Sequence, residues 1–308
     1  MEKVLQWSIA QQSENPEDRA KAPAPDPKVL AQLFGANIKD DATMMKEDIH
    51  LLYSTHPDIS VDDRLTALDD FEALIQNLDN ANNISSLGLW KQITDLYRYG
   101  LDEEKEQSNE FRSMAAQITG TAVQNNVKSQ MDFFNEVGQK GIENLLYLVL
   151  NDTEDVKAKA LYALSCLVAH NGSLFVLFKN SKGWDVLASI LQKSFSNSRK
   201  GNKVVLRSLN LLKSLLYEEI TEEGKDALIS KNAKLQELLD SQLVSCVISK
   251  IDKDAHNDVN ERALEVLTFL QQFGYTFTAE ETSSLKERLQ AIKGSFESEH
   301  YIALTNSI

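Results

Sequence analysis

Five histidines and two cysteines are the residues from which this chain would have to build nucleophilic or metal chemistry. His50, His56, His170, His256 and His300 form no His-x-x-x-His pair, and Cys166 and Cys246 are too far apart in sequence for a Cys-x-x-Cys pair. One spacing does bring a thiol towards an imidazole. Cys166-x-x-x-His170 would put both side chains on one face of a helix, as half of a metal site or as a thiol–imidazole pair. The favoured reading of the same residues is a core cysteine followed by a histidine near the helix end. Paired acids such as Asp62-Asp63 and Asp69-Asp70 suit solvated faces and helix N-terminal charges. No Gly-x-Gly-x-x-Gly or Walker sequence supplies a phosphate cradle. This inventory argues against an enzyme, a cofactor, a metal site or a small-molecule substrate, and leaves recognition by a surface.

The charge balance narrows what that surface meets. Lys and Arg total 32 against 46 Asp and Glu, a net charge of −14 and an isoelectric point near 4.9. Binding a phosphate backbone needs a positive footprint, so nucleic acid is excluded as a partner, and an anionic membrane surface is disfavoured for the same reason. The longest near-apolar stretch, Tyr162 to Ala169, falls well short of the ~18–20 residues of a membrane span. The N-terminus lacks the basic and apolar regions of a secretory signal. Two cysteines inside apolar patterns imply buried free thiols in a reducing compartment, which makes the cytoplasm the expected location.

The elements that would carry such a surface are helices. All five prolines lie in the first 57 positions, and Pro57 is the last of them. A long proline-free stretch with only 12 glycines in the whole chain lacks the punctuation of sandwiches, barrels and α/β folds. Residues 1–40 read as a flexible N-terminal arm: an apolar cluster (Val4, Leu5, Trp7, Ile9), a proline-rich linker, and a helix entry at Asp26-Pro27. Residues 41–308 read as one repeat domain. Leu65, Leu68, Phe71, Leu74 and Leu78 recur at helical steps behind a capping box at Ser60-x-x-Asp63, and a second box at Thr278-x-x-Glu281 opens a helix through Leu285 and Leu289.

The helices repeat. Small residues at 67, 115, 160, 208 and 263 head apolar helices at spacings of 48, 45, 48 and 55, and Arg64, Arg112 and Lys157 stand three residues before the first three of them. Lys140-Gly-Ile-Glu-Asn-Leu145 and Lys182-Gly-Trp-Asp-Val-Leu187 recur after 42 residues. A period near 40–47 with two or three helices per unit is the armadillo/HEAT signature, and small residues suit positions where long helices cross closely. The predicted fold is an all-α, right-handed armadillo/HEAT-like α-solenoid. Ten or eleven residues after the small positions come Asn77, Asn125, Asn126, His170 and Asn171. These residues either form a ladder of donors and acceptors along one face or cap helix C-termini.

Several segments resemble one family. Met1 to Ala10, Asp26-Pro-Lys-Val-Leu-Ala-Gln-Leu-Phe-Gly35, Leu78-Asp-Asn-Ala-Asn-Asn83 with Leu89-Trp90, and Thr119-Gly-Thr-Ala-Val-Gln-Asn-Asn126 are similar to the fungal Fes-type, HspBP-related armadillo nucleotide exchange factors of the 70-kDa heat-shock chaperone. The chain departs from that pattern at Ala36 and Gln92, where the family tends to carry glycine-rich sequence and proline. The resemblance implies a concave repeat domain that embraces one lobe of the chaperone's ATPase domain, opens the cleft, and releases ADP and then the client. It implies chaperone contacts at Ala81 and Arg207, with Asn125 and Asn126 added from the ladder. For Ala81 a tight turn, and for Arg207 an ordinary exposed repeat cation, remain open readings. It further implies that the arm helps clients leave. The competing reading is an armadillo adaptor that holds an extended peptide, whose groove would want repeated Trp/Asn pairs. Only Trp90 and Trp184 of the three tryptophans fall within the repeats.

Overall fold

A computed structural model describes residues 39–308 except 104, 196, 217–230, 295 and 297. The expected arm, with its apolar cluster and its Asp26-Pro27 helix entry, lies outside the described residues apart from Lys39 and Asp40. Contacts divide the chain into Met1–Met44 and Met45–Ile308, and the helical array belongs to the second unit.

After α1 (Asp41–Leu52) and α2 (Val61–Leu74), the array runs in threes, each a short helix, a second helix and a long one. The first triplet is α3 (Leu78–Ser86), α4 (Trp90–Asp95) and α5 (Ser108–Val123). The second is α6 (Val127–Glu136), α7 (Gly138–Asn151) and α8 (Glu154–Val168). The third is α9 (Gly172–Asn180), α10 (Gly183–Gln192) and α11 (Arg199–Leu216). The fourth is α12 (Lys231–Asp240), α13 (Leu243–Ile248) and α14 (Asn257–Phe273). Two closing helices, α15 (Ala279–Ile292) and α16 (Glu299–Ser307), complete it, and the described residues contain no strand.

The long helices α2, α5, α8, α11 and α14 pack side by side in that order. Their small residues Ala67, Ala115, Ala160, Ser208 and Ala263 are all buried in the layer, as closely crossing helices require. The second repeated marker has an equally physical cause. A Cβ at Gly141 would lie 2.6 Å from the Phe133 ring and one at Gly183 would lie 2.4 Å from the Phe178 ring. Glycine is needed at both places because a phenylalanine of the preceding helix rests on the backbone. The fold is the all-α armadillo solenoid that the periodicity predicts.

Both capping boxes form. Ser60 and Thr278 accept from the N–H groups of Asp63 and Glu281, whose side chains reach back to the cap residues. One boundary differs from the expectation: the apolar run through Leu78 breaks at Ile75. Leu78 instead opens α3 and is 59% exposed. The cations ahead of the small residues also gain a role. Arg112 clamps Asp152 across one repeat, Nε to Oδ2 at 2.6 Å and Nη2 to Oδ1 at 3.1 Å, and donates to the Tyr99 carbonyl at 2.7 Å. Arg64 donates to the Ser54 carbonyl at 2.7 Å. These bonds tie the start of a long helix to a neighbouring loop.

Candidate functional site: the exposed face of the long-helix layer

With the small residues facing inward, the positions just before and two after them face outward on the same helices. On α8 these are Lys159 and Tyr162, on α11 Arg207 and Asn210, and on α14 Arg262 and Glu265. All six are half-buried, as expected for side chains lying along a packed layer. Hydrogen bonds run from helix to helix across this face. Gln117 and Thr121 of α5 both donate to Glu72 Oε1 of α2, at 3.2 and 2.9 Å, and Lys159 donates to Gln117 Oε1 at 2.6 Å. The Tyr162 hydroxyl donates to Gln124 Oε1 at 2.9 Å. At the far end Glu265 accepts from both Lys213 and Arg262.

The cations on this face are unequally neutralised. Glu265 satisfies Lys213 and Arg262, and its carboxyl is held below its usual range although burial works the other way. Arg207 has no carboxylate partner among the described residues; its guanidinium carbon lies 4.7 Å from the centre of the Tyr162 ring. Lys159 is pushed below the usual lysine range, chiefly by burial and then by the positive charge of Lys203, with Glu72 opposing. In a chain of net charge −14, Lys159, Lys203 and Arg207 gather into a local cluster of positive charge, with Glu72 and Asp155 acting on Lys159 in the opposite sense. An open hollow of about 500 Å³ beside it carries both signs of charge: Lys203 and Arg207 of α11 line it together with Arg262 and the carboxylates of Asp258, Glu261 and Glu265 on α14.

The four expected contact residues fall in different settings. Arg207 lies at the centre of the patch. Asn125 is exposed in the left-handed conformation at φ 52°, directly after the Gln124 that holds Tyr162, so the two belong to one continuous strip. Asn126 is buried and internally committed: its Oδ1 accepts from the Ser129 N–H at 3.2 Å and its Nδ2 donates to the Ala122 carbonyl at 3.2 Å. Asn77 and Asn171 likewise accept at the starts of α3 and α9. Asn77, exposed, and Asn126 and Asn171, both buried, are therefore N-caps of the following short helices rather than C-caps. Asn125 and His170, at φ 52° and 55°, take the left-handed turn between. Ala81 stands apart: it is 3% exposed, inside α3 rather than in a tight turn, and α3 packs on α5 and α6.

Of the two readings of Cys166 and His170, the shared helical face does not hold and the helix-end histidine does. Cys166 is within α8, where burial pushes its thiol up to about 11, whereas His170 lies beyond the helix end in a left-handed turn. Among the described residues no group of three His, Cys, Asp or Glu side chains converges to hold a metal. Both cysteines are free. Trp90 and Trp184 are core residues, set edge-on to Phe133 and to Phe175 and Phe178.

Sequence reasoning missed Lys159, Lys203 and Tyr162. Their signal was the helical phase: 159, 162 and 166 share one face of α8, and 203, 207 and 210 share one face of α11.

Two family models cover this chain. "Nucleotide exchange factor Fes1" matches residues 1–84, and the "SIL1/FES1/HPBP1 C-terminal domain" matches residues 80–300. The chain belongs to the SIL1/FES1/HPBP1 family. Relatives within it include the Hsp70 nucleotide exchange factor FES1 of Scheffersomyces stipitis, 35% identical across 95% of this chain and 93% of that protein. The FES1 protein of Saccharomyces cerevisiae is 33% identical across 99% of both chains. Among the solved structures it resembles are engineered armadillo proteins. A designed armadillo repeat protein in complex with the peptide (KR)4 superposes with a TM-score of 0.59 at 15% identity, over 87% of this chain and 99% of that one. A computationally designed armadillo repeat protein for modular peptide recognition gives 0.60 at 13% identity, over 85% and 97%. At such identities the likeness is one of fold. Armadillo packing in this Fes1-family chain thus carries a locally cationic face on an acidic protein.

Proposed function

We propose that this protein is a co-chaperone that binds the ATPase domain of a cytosolic 70-kDa heat-shock chaperone and accelerates ADP release, and with it release of the client. The family places the chain among nucleotide exchange factors. The observation that carries the contact map is the cluster of Lys159, Lys203 and Arg207, in which Arg207 has no carboxylate partner among the described residues and Glu265, across the hollow, is already taken by Lys213 and Arg262. A surface of that kind fits an acidic element of the partner. Arg207 is the direct contact, and Asn125 extends the strip. Ala81 and Asn126 act from beneath, fixing the short helices α3 and α6.

The chemistry asked of the protein is differential binding. A ligand that prefers the open, nucleotide-poor chaperone lowers nucleotide affinity by the same coupling factor, and no catalytic side chain is needed. Residues 1–40 are assigned to client release and residues 41–308 to exchange. Work in the cytoplasm suits the two free thiols, and no described helix is long and apolar enough to cross a membrane. The peptide-adaptor reading is less favoured, since both tryptophans of the array are core residues and the buried asparagines serve as caps. The test is the release of a fluorescent ADP from a purified 70-kDa chaperone: a large rate increase on adding this protein supports the reading, and an unchanged rate refutes it.

A further inference from the structure

We infer that Tyr162 is a positioning residue for Arg207, holding the guanidinium in its partner-ready orientation before the chaperone arrives. The inference rests on the contact role of Arg207 proposed above. An arginine on an exposed face samples many rotamers, and fixing it at the moment of binding weakens association. Arg207 has no carboxylate partner among the described residues to fix it. Its neighbours Lys159 and Lys203 repel it. What holds it is the Tyr162 ring, whose centre lies 4.7 Å from the guanidinium carbon in a cation–π contact that uses none of the N–H donors a carboxylate would need.

The ring is itself clamped. A Cβ at Gly120 would lie 2.4 Å from it, so the ring lies directly against the backbone of α5, and its hydroxyl is tied to Gln124 at 2.9 Å. The glycine of the Thr119-Gly120 segment, whose helical setting gives no local reason for glycine, is thereby explained. It admits the tyrosine of the next repeat, which in turn orders the arginine of the repeat after that. Three successive long helices contribute one part each: backbone, ring and charge.

The test is a double-mutant cycle read by chaperone affinity. Tyr162→Leu keeps an apolar side chain and helix propensity but removes the aromatic face, and is expected to weaken binding about three- to tenfold. Tyr162→Phe, which keeps that face, is expected to retain most of the affinity. In an Arg207→Ala background the Leu substitution should have no further effect. Equal weakening in both backgrounds overturns the proposal, because Tyr162 would then act on the partner or on the fold directly. So does an Arg207→Ala variant that binds as well as wild type, since nothing would remain to be positioned. A readout without the chaperone separates this idea from the exchange reading. In the free protein the Arg207 side-chain protons should show a ring-current shift that disappears in Tyr162→Leu. Absence of that shift refutes the ring contact even where ADP release is normal. Its presence, with no ADP release by wild type, sinks the exchange reading alone.

Discussion

Replacing Asp152 by alanine should do far more damage than its place in a loop before α8 suggests. The Arg112 and Asp152 side chains are only 9% and 3% exposed, and the pair is joined by two hydrogen bonds of 2.6 and 3.1 Å. Without Asp152 the guanidinium keeps one protein acceptor, the Tyr99 carbonyl, in a site closed to water. Orphaning one member of a buried pair costs about 3–5 kcal/mol. At about 2–4 °C per kcal/mol for an array of this size, the melting temperature should fall by ~6–20 °C. The contrast is Asp95→Ala, whose partner Lys91 is 81% exposed at i,i+4 spacing, where the loss should stay below about 1 kcal/mol. Circular-dichroism melts of the two variants decide the matter. A fall of less than ~3 °C in Asp152→Ala would refute the argument that this clamp locks two repeats together. The double replacement Arg112→Met with Asp152→Leu should recover most of the loss, since no charge is then left buried.

Further outcomes follow from the same structure. Gly183→Ala drives a methyl into the Phe178 ring and should destabilise the fold by about 1–3 kcal/mol in a denaturant titration. Asp48 is raised from 3.8 to about 6, first by burial and then by Asp70 and Glu47. The folded state therefore prefers the protonated acid, and the stability it contributes is lost as pH rises from about 4 to 6. Asp48→Asn should melt higher than wild type at pH 7, with the gain gone by pH 4. Deleting residues 1–34 should leave ADP release mostly intact and slow release of a bound client peptide, as paired fluorescence assays would show.

The fold was legible because its causes are local and periodic. Small residues at 67, 115, 160, 208 and 263 and the Lys-Gly markers reflect contacts that recur with the repeat, and the two capping boxes are bonds within four residues of chain. The break at Ile75 was hidden because Leu78 continues the apolar phase of α2, although its side chain faces solvent at the head of α3. The site was legible only in part. Arg207 was reached through resemblance, but its setting depends on Tyr162 and Gly120 in two other repeats, and a spacing within one helix does not reveal such neighbours. The asparagines were visible as a ladder, yet spacing alone did not show that Asn77, Asn126 and Asn171 are N-caps while Asn125 takes the exposed left-handed turn. Ala81 shows the same limit, since burial is a tertiary property.

The central claim is that this protein binds one chaperone state in preference to another and does its work through that difference. Isothermal titration of the full chain into the 70-kDa chaperone, first nucleotide-free and then with saturating ADP, measures it directly. The account predicts markedly tighter binding to the nucleotide-free form, by the factor through which this protein weakens ADP binding, and a loss of at least about tenfold in Arg207→Ala, or roughly 1.4 kcal/mol. Equal affinity for the two forms contradicts it, because a ligand indifferent to two states shifts neither.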